Sequence, residues 1–342
     1  MASEGKSSTV PSLVQVVPAL PPRQEGIGGY ALGVAVALRA RGVETVFAHP
    51  GAASVDFRGI PLTEIPSGQP ILLHYANYGY HPHGTPRALV QDLVGARRDG
   101  RIPRLVVFFH EFVATAPPWR RTFWTARTQR SLARHLAEAA DAAVTTIPIY
   151  ETLLNRLAPG LGLHRLAMPS PVGEPTEIPL SGARESMAVV FGGPGNRQSV
   201  YRALEGLSVD LARAGVRRLV DVGPGAPVAP AKVAGLEVDV RGELSASELS
   251  GLLLRAKLGF AAYAADFLGK STAFAALAAH GVPCLALRGP QIGAVDAPCL
   301  RVGESLDEDR LDGVSNAARA WYSDHRLATH VDSLVGLLRL DE

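Results

Sequence analysis

In the stretch VVFFHEFVATAPPWRRTFW, His110 and Glu111 follow directly on four apolar residues, and Trp119 and Arg120 come shortly after. An imidazole at the end of a buried strand stands where a base or an electrostatic stabiliser would face a cleft. Glu111 beside it would orient the ring or hold an acceptor, and Arg120 offers a fork of donors for an anion. A structural reading competes: His110 bonds a neighbouring backbone group while Trp119, Phe123 and Trp124 pack the next helix. The residues alone leave both open.

Four further segments pair small residues with groups that hold ligands. Gly28 and Gly29 in GIGGYALG precede an apolar helix, where glycines let free N–H groups approach an anion; a tight turn is the plain alternative. Their spacing is not that of the dinucleotide fingerprint, and Ala48-His49-Pro50 stands where its acidic residue belongs. HYANYGYHPHG supplies Tyr78 and Tyr80, whose rings and hydroxyls suit a polyhydroxylated ligand. His81 and His83 in this loop lack nearby acidic or thiolate partners, which argues against a metal site.

In the second half, FGGPGNR places three glycines ahead of Arg197, a plausible phosphate cradle. RGELSASEL sets Glu243 before a helix capped by Ser245 or Ser247. GKSTAF puts Lys270 and Ser271 at a helix N-terminus, a second anion site, with a solvated surface lysine as the plain alternative. Ala264 occupies the position of the first Walker A glycine, so a P-loop is excluded.

These segments must be positioned by something, and the pattern around them says what. Short apolar runs alternate with helical periodicity: LVQVV, TVFA, ILLHY, RLVVFF and AAVTT, then MAVVF, RRLVDV, LEVDV, LGFAAY and VPCLAL. Continuous apolar strands separated by helices indicate parallel sheets covered on both faces. At 342 residues the chain exceeds one comfortable core. The Pro- and Gly-rich tract Ala158–Leu180 interrupts the alternation. The expectation is an α/β protein of two Rossmann-like domains in tandem, residues 1–165 and 187–317, with a connection over 166–186 and a final helical stretch over 318–342. Ligands in such folds lie beyond the carboxyl ends of the strands.

Composition narrows the classes. The chain is 47% hydrophobic and 19% charged with a net charge of +2, so neither disorder nor a broad nucleic-acid surface is indicated. Two cysteines give no disulfide framework and point to a reducing compartment. MASEGKSSTVPS lacks an apolar signal core, and no apolar run has membrane-spanning length. A cytoplasmic protein is expected, with contact at the inner face of the membrane a poorly signalled extension carried by the surface near Trp119 and Arg120.

Taken in order, GIGGYALG, VVFFHEF, AEAADAAVTT, FGGPGNR, RGELSASEL and KSTAFAALAAHGVP resemble segments of GT-B fold glycosyltransferases, specifically glycosyltransferase family 4, over nearly the whole chain. HEFVATAPPWRRTFW and GYHPHGTPRAL are similar to a polysaccharide-cluster subgroup. The resemblance implies a nucleoside diphosphate sugar as donor, held mainly by the second domain, and a glycan or lipid-linked acceptor held mainly by the first. It implies retaining transfer with no metal or other cofactor, and a last helix crossing back to the first domain. It places His110 against the reacting sugar with Glu111 beside it. Gly28 and Gly29 then lie near the donor phosphates. Arg197 faces the diphosphate, with Glu243, Lys270 and Ser271 completing the donor side, and Tyr78, Tyr80, Trp119 and Arg120 form the acceptor side. One departure stands out: the family's pair of glutamates falls on Leu268 and Ala276, which leaves Lys270 and Ser271 to take over donor binding, or a changed donor, or lost activity. A nucleotide-sugar epimerase of the same fold and a non-catalytic nucleotide- or sugar-binding protein are the competing expectations.

Overall fold

The apolar runs become parallel strands because each is covered on both faces, and the segments between them become helices that supply the cover. The computed structural model describes residues 12–21, 26–49, 59–60, 64–113, 121–206, 211–225, 229–290 and 293–341. The chain forms two compact units. The first comprises the described residues through Thr145, Tyr150–Arg165 and the segment from His330; the second comprises Thr146–Ile149 and Leu166–Thr329.

Unit 1 is built from β1 (Ser12–Val16), α1 (Gly26–Arg39), β2 (Glu44–Ala48), β3 (Gly59–Ile60), β4 (Ile71–Ala76), α2 (Asn77–Tyr80), α3 (Arg87–Arg98), β5 (Leu105–Glu111), α4 (Arg121–Ala139), β6 (Ala142–Thr145), most of α5 (Pro148–Leu157) and β7 (Leu163–Arg165). Its seven strands run in the order β3-β2-β1-β4-β5-β6-β7, all in parallel. Strand order reverses at β1 and β4, so the crevice of this doubly wound sheet lies at their carboxyl ends.

Unit 2 follows with β8 (Glu185–Phe191), α6 (Pro194–Gly206), β9 (Arg218–Val222), β10 (Lys232–Val233), β11 (Leu236–Gly242), α7 (Ala246–Arg255), β12 (Ala256–Ala264), α8 (Thr272–Ala279), β13 (Cys284–Arg288), β14 (Leu300–Arg301), α9 (Glu308–Ser323) and the start of α10 (Leu327–Leu338). The order is β10-β11-β9-β8-β12-β13-β14, with β10 the one antiparallel strand among those described. The reversal falls at β8 and β12. Apolar side chains cover both faces of this sheet. Leu249, Leu253, Phe274 and Leu277 lie on one side, and Val200, Leu204, Leu311 and Val314 on the other.

The α/β class and the tandem Rossmann-like organisation are as the sequence indicates, and the last segment does return to unit 1. Two local expectations change. The single helix expected over the C-terminal stretch is two, α9 and α10. Glu174 accepts from both the Tyr322 hydroxyl at 2.8 Å and the Leu327 amide at 2.7 Å, which pins the break and serves one of the free N–H groups at the start of α10. The connection preceding β8 also has a structural task. Arg184, 5% exposed, donates to the carbonyls of Leu253, Ala256, His280 and Gly281, tying the ends of α7 and α8 together.

Candidate functional site

At the carboxyl end of the first sheet, β4 and β5 deliver His74 and His110. The register shifts after Tyr75–Phe109, so His110 and Glu111 together stand opposite Ala76; an extra residue of this kind re-aims a strand end. His110 is 6% exposed and its Nε2 lies 3.2 Å from Nδ1 of His74. The ring also rests on Phe108, centroid to centroid 4.1 Å. His74 Nε2 meets the Gln15 Oε1 of β1 at 2.8 Å. Tyr30 of α1 covers the pair edge-on, 5.5 Å from His74 and 5.7 Å from His110, and its hydroxyl is hydrogen-bonded to His330 Nε2 of α10. Burial, with a smaller contribution from His330, brings the His74 imidazole down to about 3, so it is neutral at physiological pH. Burial also raises the Tyr30 phenol well above its ordinary value.

The other first-unit residues fall around this strand end in different roles. Glu111 closes β5 and is exposed. Tyr78 is half exposed and accepts from Gln129 Nε2 at 3.2 Å. Tyr80 does not present its hydroxyl as an acceptor-binding group. It lies 3.0 Å from the Val16 carbonyl and 3.1 Å from that of His74, tying β1 to β4 at the switch point. The glycines belong to the first turn of α1 rather than to a preceding turn. Gly28 is needed for packing, because a Cβ there would stand 2.4 Å from the Ala19 carbonyl oxygen, whereas Gly29 has open space around it. Trp119 and Arg120 lie outside the described residues.

At the switch point of the second sheet a cavity of about 360 Å³ is lined by Asn196 and Ser199 of α6, Tyr263 of β12, Phe267 and Arg288 at the end of β13. Tyr263 and Arg288 are exposed to it from strand ends, a ring and a cation. Lys270 holds its Nζ 5.9 Å from the centre of the Phe267 ring, and Ser271 caps α8 by accepting from the Phe274 amide at 3.1 Å. Cavities of similar volume lie beside α9 and between α3 and α4. Neither is at strand ends, where doubly wound folds hold ligands, so the β8–β12 cavity is the candidate.

Arg197 is corrected from a diphosphate ligand to an internal clamp. It is 1% exposed. Nη1 pairs with Asp221, Nε donates to the Gly192 carbonyl at 3.0 Å, and Nη2 to that of Pro224 at 2.6 Å. Tyr201 donates to the second Asp221 oxygen at 2.7 Å, so the carboxylate is satisfied without solvent. Glu243 is exposed just beyond β11, with β9 standing between that strand and β8. Leu268 and Ala276 are both fully buried in the core of unit 2. Nearby Asp266, 1% exposed, accepts from the Gly293 amide at 2.8 Å.

Sequence reasoning passed over Arg288, Tyr263, Asn196 and Gln15, and read His74 only as one residue of the HYANYGYHPHG ligand loop. Arg288 carried a usable signal, a cation directly after the apolar run VPCLAL. Gln15 and His74 are polar residues inside apolar strands, the mark of a buried network. Among the described residues, no group of three His, Cys, Asp or Glu could hold a metal ion, and no helix is long and apolar enough to cross a membrane.

No protein-family model matches the chain, and no curated protein sequence does. Solved structures do. Sucrose-phosphate synthase from Thermosynechococcus elongatus aligns with a TM-score of 0.61 at 15% identity, over 97% of this chain and 100% of that one. Anabaena HepE in complex with UDP and glucose gives 0.55 at 10%, over 96% and 99%. WaaG, a glycosyltransferase involved in lipopolysaccharide biosynthesis, gives 0.52 at 16%, over 96% and 97%. The chain has the GT-B fold of these proteins.

Proposed function

We propose that the protein is a glycosyltransferase that moves a sugar from a nucleoside diphosphate sugar to a glycan or lipid-linked acceptor, with retention and without a metal. The observation that carries this reading is the cavity at the β8–β12 switch point. There a cation (Arg288), an exposed ring (Tyr263) and the first turn of α6 converge on one space. A ring stacks a base, while the Arg288 guanidinium takes a diphosphate. That HepE, similar in fold, was solved with UDP and glucose supports a nucleotide-sugar donor. On this reading His110 faces the sugar in unit 1, with Glu111 and Tyr78 towards the acceptor. Lys270 and the α8 N-terminus add positive potential on the donor side, stabilising charge on the departing diphosphate. Arg197 holds the β8–α6 loop rather than the donor.

The test is a thermal shift against a panel of nucleoside diphosphates, followed by donor turnover with and without acceptors. One nucleoside diphosphate should raise the melting temperature through unit 2, and Arg288→Ala should abolish that rise. Acceptor-dependent release of nucleoside diphosphate should follow. Donor conversion without any acceptor would point instead to an epimerase, and binding without turnover to a non-catalytic receptor.

A further inference from the structure

The cavity beside α9 belongs wholly to unit 2 and has a chemistry of its own. It measures about 370 Å³, within the range of small-molecule pockets. Its walls are the connection preceding β8 (Glu174, Thr176), the last turn of α8, and α9 with the turn that follows it (Asn316, Arg319, Tyr322, Arg326). Helix α8 returns from the carboxyl ends of the strands to the start of β13. Its last turn therefore stands at the opposite edge of the sheet from Tyr263 and Arg288, and no residue lines both cavities.

Positive charge is concentrated here without a counterion. Arg319 and Arg326 are exposed, and neither makes a hydrogen bond or an ion pair among the described residues. A third guanidinium meets Arg319 at Gly281. Arg184 donates to the Gly281 carbonyl at 3.1 Å, and a Cβ on that glycine would stand 2.9 Å from Arg319 Cδ. The bonds of Arg184 go to carbonyls and none to a carboxylate. Burial first, and the like charge of Arg319 second, bring Arg184 down to about 10, with Asp312 opposing. The acid in the wall, Glu174, has its Oε1 engaged by the Tyr322 hydroxyl and the Leu327 amide. Carbonyls at the end of α8 accept from the amides of His280, Gly281 and Val282, which covers the negative end of that helix.

We propose that this cavity binds a small phosphorylated polyol, with its phosphate between Arg319 and Arg326 and its hydroxyls on Asn316, Thr176 and the second oxygen of Glu174. Guanidinium forks match phosphate oxygens two at a time. The Asn316 amide and the Thr176 hydroxyl make no hydrogen bond among the described residues, so both are open to ligand. A nucleotide does not suit the cavity: Tyr322, the ring in its wall, is 3% exposed and offers no open face to a base. The site shares no residue with the function proposed above and stands or falls without it.

The experiment is isothermal titration calorimetry of the full chain with glucose 6-phosphate, glycerol 3-phosphate, inorganic phosphate and glucose. A phosphorylated polyol should bind, inorganic phosphate more weakly, and glucose not at all. Arg319→Gln, which keeps the stem against Gly281, and Arg326→Gln should each weaken binding about 10-fold or more. Arg288→Ala, in the other cavity, should leave it unchanged. Should Arg319→Gln fail to fold, Arg326→Gln decides alone. The proposal is overturned if neither phosphorylated polyol binds, or if glucose or inorganic phosphate binds as tightly as they do. It is equally overturned if Arg288→Ala loses the binding while the glutamine variants keep it.

Discussion

Arg197 and Asp221 form a fully buried ion pair joining α6 to β9, with guanidinium and carboxylate both 1% exposed or less. Such a pair is costly to assemble but far costlier to break, because the survivor is left charged without water. Arg197→Ala should therefore destabilise unit 2 by about 3–5 kcal/mol. Arg197→Met combined with Asp221→Leu should cost much less than the single change. Urea unfolding of the set measures this, and additive losses would contradict the clamp.

Gly28 and Gly29 are adjacent yet should respond oppositely to one methyl group. At Gly28 the added Cβ meets the Ala19 carbonyl oxygen, so the start of α1 must move; at Gly29 it meets nothing. Gly28→Ala should lower the melting temperature. Gly29→Ala should leave it unchanged or raise stability by up to ~1 kcal/mol, from helix propensity. Any loss of donor turnover in a stable Gly29→Ala protein would then report on ligand rather than on fold.

His74 makes stability depend on pH in a defined direction. Its folded value is about 3 against 6.5 unperturbed, so the folded chain binds fewer protons than the unfolded one between those limits. Its contribution is complete above 6.5 and is lost as pH falls towards 3. His280, lowered chiefly by burial, acts in the same sense. Denaturant midpoints should fall between about pH 7 and about pH 5, with a slope of at most ~1.4 kcal/mol per pH unit from His74. In His74→Phe that slope should be shallower; an identical slope would remove His74 from the account.

Cys284 and Cys299 occupy neighbouring positions, since Leu285 pairs with Leu300 in the next register step. Burial raises Cys284 well above the ordinary thiol range and Cys299 to about 11. Thiolate, the reactive form, is thereby suppressed. A disulfide reagent at about pH 8 should leave both thiols unmodified in the native protein and titrate both after denaturation. Rapid native labelling would show that this strand edge opens.

The strands and their order of appearance were legible because a parallel sheet writes itself as apolar runs, and AVVF or VVFF admits little else. The short edges β3 and β7 were not, since two or three residues carry no period. At the site, the strand-end position of His110 could be read from sequence, but its partner could not. His74 sits in ILLHYA among residues that are all buried, and only the sheet register brings it beside His110. Arg197 misled for a related reason. A cation after glycines has the same appearance whether it faces solvent or an aspartate, and Asp221 lies 24 residues further along.

The bond between Tyr30 and His330 spans 300 positions of sequence, yet both residues belong to unit 1. On a growing chain, all of unit 2 is made before the segment that covers this part of unit 1. The strands of each unit are contiguous in sequence, so both sheets can form as they are made, but unit 2 needs no later segment. Unit 1 must wait with Tyr30 and the face around His74 uncovered, and closing that long loop carries the entropy cost of a distant contact. The order of synthesis and the order of completion are thus reversed: the unit that begins first is finished last.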